Sequence, residues 1–179
     1  LASIAAEHEL TICHGNAPQV CLLALESEAD PSLSRPYPLD VLGAQTQGMI
    51  GYWLAQALRN AGVLKPVVAV LSQTVVDAAD PAFERPAKFV GSVYDQAEAT
   101  RLAALHGWTV ARDGDRWRRV VASPEPVRVV ELPSIAGLVR AGTVVVCGGG
   151  GGVPVVADDS GRLVGVEAVV DKDLTAALL

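Results

Sequence analysis

The sequence predicts an α/β protein with a mostly parallel, open sheet packed between helices, and three observations lead to that prediction. Half of the 179 residues are hydrophobic but only 4% are aromatic, so Ala, Val and Leu supply the core. This composition suits a parallel sheet covered by small-residue helices better than an aromatic-rich sandwich. Short apolar runs alternate along the chain with longer helical stretches. Charged residues make up 19% of the chain, which excludes a disordered protein.

Each element follows from its local pattern. Residues 1–8 read as the end of a helix, so the chain is interpreted as a fragment of a longer protein. Continuous apolar runs predict buried strands, at 10–13, 67–71, 127–131 and 143–147, with a further strand at 163–170. Helices are predicted at 20–29, 39–61, 134–141 and 171–179, and Gly62 is a natural stop for the long one.

Residues 77–126 differ from the rest in being richer in proline and charge. They contain a predicted helix at 95–106 and two strands at 108–112 and 116–121. The strands are joined by Asp113-Gly114-Asp115, a strong hairpin-turn signal. This segment is predicted to form a small protruding subdomain, here called the lid, inserted into a core made of residues 1–76 and 127–179.

Charge and cysteine content exclude several classes of protein. The net charge is −6, and the one dense basic run, Arg116 to Arg119, is interpreted as the solvated face of the hairpin, so no nucleic-acid partner is expected. No apolar stretch is long enough to span a bilayer, and no signal peptide opens the chain. Three cysteines without a CxxC pair indicate small core residues in a reduced, cytoplasmic compartment. No His/Cys spacing predicts a metal site.

Two loops follow predicted strands, at 14–19 and at the five glycines 148–152, here called the glycine loop. Ligands of open α/β sheets bind at such carboxyl ends. Five glycines leave backbone N–H groups bare for an anion, although such a run can also be a flexible turn. The Val153-Pro154-Val155 that follows fits neither a GxGxxG fingerprint nor a P-loop.

Lysine is scarce, with three residues against eleven arginines. Lys172 lies between Asp171 and Asp173, so it either neutralises a transferring phosphoryl group or merely follows a helix-capping aspartate. Lys88, taken alone, reads as a surface lysine. His14 is a candidate general base, but it more simply shapes its loop, because no carboxylate is obvious as its partner.

Seven segments in chain order match one known family. They include His14-Gly15-Asn16-Ala17-Pro18-Gln19 and Pro86-Ala87-Lys88-Phe89-Val90-Gly91. The others are the stretches 38–54, 72–83, 116–124, 147–154 and 165–174. Together they resemble the carbamate kinases, of the amino acid kinase family, over essentially the whole chain. The family's opening strand and its adenine-binding C-terminal part are not among these residues, which again indicates a partial chain.

The resemblance implies a three-layer amino-acid-kinase fold that transfers a phosphoryl group between carbamoyl phosphate and ADP, giving ATP, with Mg²⁺ accompanying the nucleotide. It further implies a cytoplasmic homodimer acting in catabolism of arginine or of another carbamoyl compound. Two alternatives stay open: a degenerate, non-catalytic dimerising paralogue, and a relative acting on acetylglutamate, aspartate or UMP. The lid argues against the second, because it resembles the carbamate kinases' own insertion.

The resemblance also assigns roles to residues. Lys88, Lys172 and Asp173 are implied to be catalytic. The implied substrate-binding residues are Gly15, Asn16, Gly148, Gly149, Gly150 and Asp171. Ala17 and Cys21 depart from the family pattern by replacing glycines, and an alanine forced to positive φ would cost about 1 kcal/mol. These departures are therefore expected to affect the binding sites more than they affect the fold.

Overall fold

A computed structural model describes residues 1–179, which form six α-helices and ten strands. The helices are α1 (Ala2–Glu7), α2 (Ala17–Ala29), α3 (Leu39–Asn60), α4 (Gln96–His106), α5 (Leu132–Arg140) and α6 (Lys172–Ala176). The strands are β1 (Thr11–Ile12), β2 (Val67–Ala69), β3 (Gln73–Val76), β4 (Lys88–Tyr94), β5 (Thr109–Asp113), β6 (Arg116–Val121), β7 (Pro126–Val129), β8 (Val144–Val146), β9 (Val153–Ala157) and β10 (Leu163–Gly165). No helix combines the length and apolar character that crossing a membrane requires.

The centre of the molecule is a parallel sheet in the order β1-β8-β2, as the Val-rich runs predict. Its middle strand is fully buried because both of its faces are covered. Val144 and Val146 pack with residues of α1 and α3. Val145 and Cys147 pack on the other face against Ile135 of α5. The sheet therefore lies between two helix layers, which confirms the predicted α/β architecture.

A second, four-stranded sheet continues the core in the order β10-β9-β3-β7. Strands β3 and β9 run parallel, whereas β7 and β10 are antiparallel edge strands. The sequence did not indicate β3 or β9. Pro154 lies inside β9 opposite Thr74, and a proline within an apolar run is normally evidence against a strand.

The third sheet, β4-β6-β5, is antiparallel and shares no ladder with the other two. The predicted hairpin is present, with Gly114 at φ 66 in its turn, and α4 starts at an Asp95 cap and ends at Gly107. Strand β4 was not predicted, because Gly91 at φ 71 interrupts its pattern with a bulge. The division into a core and a lid at 77–126 stays a proposal, supported by this separate sheet.

Three other elements differ from the sequence prediction by three residues or more at one end. Helix α2 begins three residues earlier, at Ala17, because Pro18 is well placed in a first turn. The strand predicted at 163–170 ends at Gly165, and the residues after it run beside the lid instead, with Ala168 bridged to Ala122. Helix α6 is also shorter than predicted, spanning Lys172–Ala176.

Candidate functional site

The loops after β1 and β8 lie side by side at one edge of the central sheet. This follows from their parallel pairing, Thr11 with Val145 and Ile12 with Val146, which places both carboxyl ends together. The Gly150 N–H donates to the His14 carbonyl oxygen over 2.8 Å. The sequence prediction that these two loops form one site is consistent with this placement.

Close approach of the two loops requires glycine. A Cβ at Gly149 would collide with the His14 imidazole, and one at Gly150, whose φ is 63, would collide with the Asn16 side-chain amide. The His14 ring also bonds locally, with Nδ1 2.9 Å from the Gly15 carbonyl oxygen. These contacts are consistent with the simpler interpretation of His14, that it shapes its loop.

A buried polar cluster holds the start of the glycine loop. The Gly148 N–H donates to the Ser72 hydroxyl over 2.7 Å, and that hydroxyl donates to Gln47 Oε1 over 3.0 Å. The Gln47 amide also pairs with the Ser72 backbone, donating to its carbonyl and accepting from its N–H, both over 3.0 Å. Helix α3 therefore fixes this loop through one glutamine.

Two threonines hold the end of the same loop. The hydroxyls of Thr74 and Thr175, both fully buried, donate to the Gly151 carbonyl oxygen over 2.7 and 2.9 Å. The Asn16 amide is anchored similarly, donating to Thr46 of α3 over 2.9 Å. The sequence analysis did not predict these hydrogen bonds to the loops. The polar residues beside the apolar strands at 67–71 and 143–147 were the signal that could have indicated them.

The N–H groups of the glycine loop are less available than the sequence suggested. Those of Gly148, Gly150, Gly151 and Gly152 are all donated within the protein. In contrast, the N–H groups of Gly15 and Asn16 have no protein acceptor, and Asn16 caps α2 without a side-chain hydrogen bond. The N–H of Gly149 also has no protein acceptor. An uncapped helix N-terminus favours anions, so the residues leading into α2, together with Gly149, offer the available donors.

Lys172 lies against this helix N-terminus. A Cβ at Gly15 would sit 3.8 Å from Lys172 Cδ, so the lysine stem covers Gly15. The ammonium donates to Asp173 Oδ1 over 2.6 Å, and this hydrogen bond raises the pKa of Lys172. Lys172 is therefore held as a cation, while Asp173 remains mostly exposed.

Asp171 caps α6 and also pairs with the lid lysine. Its Oδ1 accepts from the Asp173 and Leu174 N–H groups over 2.8 and 3.2 Å, which caps α6 and is the main cause of its lowered pKa. Its Oδ2 lies 3.9 Å from Lys88 Nζ, at the first residue of β4 in the lid. The interpretation of Asp171 as a helix cap is thus confirmed, and the phosphoryl-neutralising role of Lys172 stays a prediction.

A cavity of about 90 Å³ lies between these groups, with Asn16, Lys88, Gly150 and Gly152 among its lining residues. Of the sequence-predicted site residues, Asn16, Lys88 and Gly150 line this cavity. Asp171 pairs with Lys88 beside it, Lys172 covers Gly15 next to Asn16, and Gly149 is buried against His14. Gly148 lies deeper with its N–H occupied, and Asp173 points outward. The roles of all nine residues remain proposals.

The basic run of the hairpin is only partly a solvated face. The Arg118 guanidinium lines the cavity and donates to the Gly91 carbonyl over 2.9 Å. The Arg119 side chain is 17% exposed and forms an ion pair with Glu167 at 2.9 Å. The sequence interpretation of this run was incomplete, because a hairpin pattern does not show which face packs against the core.

The departures at Ala17 and Cys21 do not produce the strain that they suggested. No residue other than glycine has positive φ, and Ala17 is the first residue of α2. The Cys21 thiol accepts a hydrogen bond from the Gly91 N–H of the lid at 3.3 Å. Both residues are therefore accommodated locally.

The other two cysteines end the adjacent strands β1 and β8. Cys147 is buried and Cys13 half-buried, so only Cys147 is the core residue that the sequence predicted. A hydrogen bond from the Cys147 thiol lowers the pKa of Cys13 to about 7 against the opposing effect of burial, and Lys172 adds to this lowering. No group of three or more His, Cys, Asp or Glu side chains is arranged to hold a metal ion.

No protein-family model matches the chain. Comparison with individual curated proteins, however, finds relatives that share one name. Carbamate kinases of Rhizobium meliloti strain 1021 and Escherichia coli K12 are 50% and 51% identical over 100% of this chain. That of Thermococcus kodakarensis is 49% identical over 97%. The chain covers 56%, 59% and 57% of these relatives, so it spans somewhat more than half of their length.

Solved structures similar to this chain include carbamate kinases as well. A crystal structure from Aeropyrum pernix K1 matches with a TM-score of 0.90 and 42% identity, covering 99% of this chain and 59% of that one. The carbamate kinase of Giardia lamblia bound to AMP-PNP matches with a TM-score of 0.86 and 37% identity, over 97% and 57%. The fold is the amino-acid-kinase fold that the resemblance implied, and along its whole length the chain is a homologue of part of the carbamate kinases.

Proposed function

We propose that this chain carries the phosphoryl-binding half of a carbamate kinase, which catalyses reversible transfer between carbamoyl phosphate and ADP. One observation carries the proposal: two lysines lie at the uncapped N-terminus of α2 and the adjacent glycine loop. Lys88 of the lid pairs with Asp171 of the core, and the stem of Lys172 covers Gly15. Such a site offers positive charge and fixed hydrogen-bond donors. Phosphoryl transfer depends on these two provisions, positioning and charge stabilisation.

In this reaction an oxygen of the ADP β-phosphate attacks phosphorus, the phosphorus–oxygen bond to the carbamoyl group breaks, and carbamate leaves with the bond's electrons. The residues leading into α2 would orient the phosphoryl group. Lys88 and Lys172 would neutralise the charge that develops on its oxygens, and Asp171 and Asp173 would hold the lysines in place. The glycine loop would admit the ligand close to the backbone.

The nucleotide and its Mg²⁺ belong to the same proposal. The AMP-PNP complex of the Giardia lamblia relative supports a nucleotide substrate. The magnesium ion is proposed to arrive on the nucleotide phosphates, because proteins usually bind it through substrate phosphates together with one or two carboxylates. A homodimer, a cytoplasmic location and a place in arginine or other carbamoyl catabolism are supported by the resemblance alone.

The two alternatives have less support. A non-catalytic paralogue was suggested by Ala17 and Cys21, and both residues fit the structure without strain. Another amino-acid-family kinase is disfavoured by the relatives, because all three compared above are carbamate kinases. Carbamate is therefore the preferred acceptor.

The decisive test is ATP formation from carbamoyl phosphate, ADP and Mg²⁺ by this chain and by its Lys172→Ala variant. We expect a loss of kcat on the order of 10²-fold to 10³-fold in the variant, because a charge that stabilises the transition state is removed. Lys65→Ala is the matched control, since Lys65 is bonded only to the distant His8 carbonyl and should leave the rate unchanged. Absence of ATP from both the unmodified chain and Lys172→Ala would show that this segment is not an enzyme by itself, and would leave the family assignment standing.

A further inference from the structure

The lid meets the core through one face of its sheet. In the β4–β6 ladder Lys88 lies opposite Val121 and Val90 lies opposite Arg119. Because side chains alternate along a strand, these four residues share a face. The two valines are buried in an apolar cluster with residues of α2 and α3. The two cations therefore flank a buried contact and point to the same side.

Both cations find their carboxylate partners on a single stretch of the core. Arg119 Nη2 lies 2.9 Å from Glu167 Oε2, and Lys88 Nζ lies 3.9 Å from Asp171 Oδ2. Between these carboxylates the Val169 N–H donates to the lid's Ala122 carbonyl over 3.0 Å. The stretch 167–171 is thus a seam between lid and core.

The two ion pairs differ in how firmly they are held. The Arg119 guanidinium lies 4.7 Å from the centre of the Trp108 ring, which itself stacks on His106. Its side chain is 17% exposed, whereas that of Lys88 is 42% exposed. Exposed pairs at such a distance contribute little, while a stacked and largely buried arginine is well ordered. The Arg119–Glu167 pair is therefore the stronger ionic link across the seam.

Glu167 also reaches the helix that supports the loops. Its Oε1 accepts from the Leu39 N–H over 3.0 Å, at the first residue of α3. The same helix carries Thr46 and Gln47, which hold Asn16 and the Ser72–Gly148 contact. One carboxylate thus connects the lid sheet with the helix that positions both loops.

Away from this seam the lid is loosely packed against the core. A cavity of about 720 Å³ separates its outer part, including Trp108 and His106, from the core residues Glu28 and Tyr37. Apolar packing therefore reaches only the inner half of the lid sheet, and Arg119 lies where that packing gives way to the cavity.

We propose that the Arg119–Glu167 pair is a positioning device, which sets the lid sheet against α3 so that Lys88 stands over the phosphoryl site. Neither residue touches the substrate in this scheme. The inference rests on the proposed function, because the role of Lys88 does, but its structural part stands on the seam alone.

The test is Glu167→Gln, made in the unmodified chain and in a Lys88→Ala background. Glutamine keeps an acceptor for the Leu39 N–H and loses the charge that Arg119 meets. We expect kcat for ATP formation to fall on the order of tenfold, since small misplacements of a catalytic group are costly. In the Lys88→Ala background the same change should alter kcat by less than about twofold, because coupled residues are not additive. Glu98→Gln, which removes the exposed Glu98–Arg101 pair of α4, is the matched control.

An equal loss of kcat in both backgrounds would overturn the proposal, because the effect would then not pass through Lys88. Amide hydrogen exchange provides a readout that does not need activity. Exchange in β4 should become faster in Glu167→Gln and stay unchanged in Glu98→Gln; unchanged exchange in both variants would also overturn the positioning role. If the unmodified chain forms no ATP, this segment is not an enzyme by itself, and the exchange result alone decides whether the pair positions the lid.

Discussion

The two sides of the candidate site are built in opposite ways. On the core side, the glycine loop is buried and its N–H and carbonyl groups are tied to Ser72, Thr74 and Thr175. On the lid side, Lys88 is 42% exposed and meets Asp171 only at 3.9 Å. The core thus offers fixed geometry, while the lid offers a charge on a side chain with few constraints.

This difference suits a phosphoryl-transfer site. The transferring group can be oriented only by atoms that do not move, and the buried core side provides such atoms. Substrates can enter and leave only if part of the site can open. Loosely held surface elements, such as the lid side here, are the parts of a protein that move most easily. Measurements of stability can test the contrast, because substitutions on the two sides should affect the free energy of unfolding very differently.

The largest effect is expected for Gly151→Ala. Gly151 has φ 91, and an added Cβ would collide with the Val170 carbonyl oxygen, which is backbone and cannot turn away. Positive φ and overpacking together should lower the free energy of unfolding by about 2–4 kcal/mol. Urea denaturation of the variant measures this, with Gly137→Ala in α5 as the control, since a Cβ there meets nothing. A loss equal to that of the control would contradict the view of a rigid loop.

An intermediate effect is expected for Ser72→Ala. Removal of the hydroxyl leaves the buried Gly148 N–H without its acceptor, and an unsatisfied buried group costs about 1–3 kcal/mol. The control is Thr100→Ala, because Thr100 bonds its own helix at the exposed surface of α4. Denaturation midpoints that coincide for the two variants would show that the Ser72–Gln47 cluster does not hold the loop.

The smallest effect on stability is expected for Lys88→Met. Its ion pair is long and exposed, so the free energy of unfolding should change by no more than about 0.5 kcal/mol. The rate of ATP formation should nevertheless fall on the order of 10²-fold to 10³-fold. A stability loss comparable to that of Ser72→Ala would mean that Lys88 is a structural residue, and the contrast between the two sides would then be lost.

Much of this architecture could be predicted from the sequence. The run Thr143 to Cys147 followed by five glycines indicated a buried strand ending in a ligand loop, and the Asp113-Gly114-Asp115 turn indicated the hairpin. The strand and the hairpin are both present because local composition determines them directly. The resemblance added Lys88, which its own surroundings would have left as an ordinary surface lysine.

The rest depends on long-range pairing that no local pattern reveals. Strand β9 is concealed by Pro154, and it forms because β3 accepts it as a parallel neighbour. Gln47 looks like any polar residue of an amphipathic helix until α3 is placed against Ser72, 25 positions further along the chain. Arg119 and Glu167 are 48 positions apart, so their pairing also had no signature in the sequence.

The glycine loop has a consequence for how such a site can change over generations. A loop made of five glycines has no side chains to exchange, and at Gly149, Gly150 and Gly151 any added Cβ meets a neighbour. Inherited variation that adjusts the ligand's fit must therefore arise in the residues around the loop, such as Asn16, Thr74 and Thr175, and not in the loop itself.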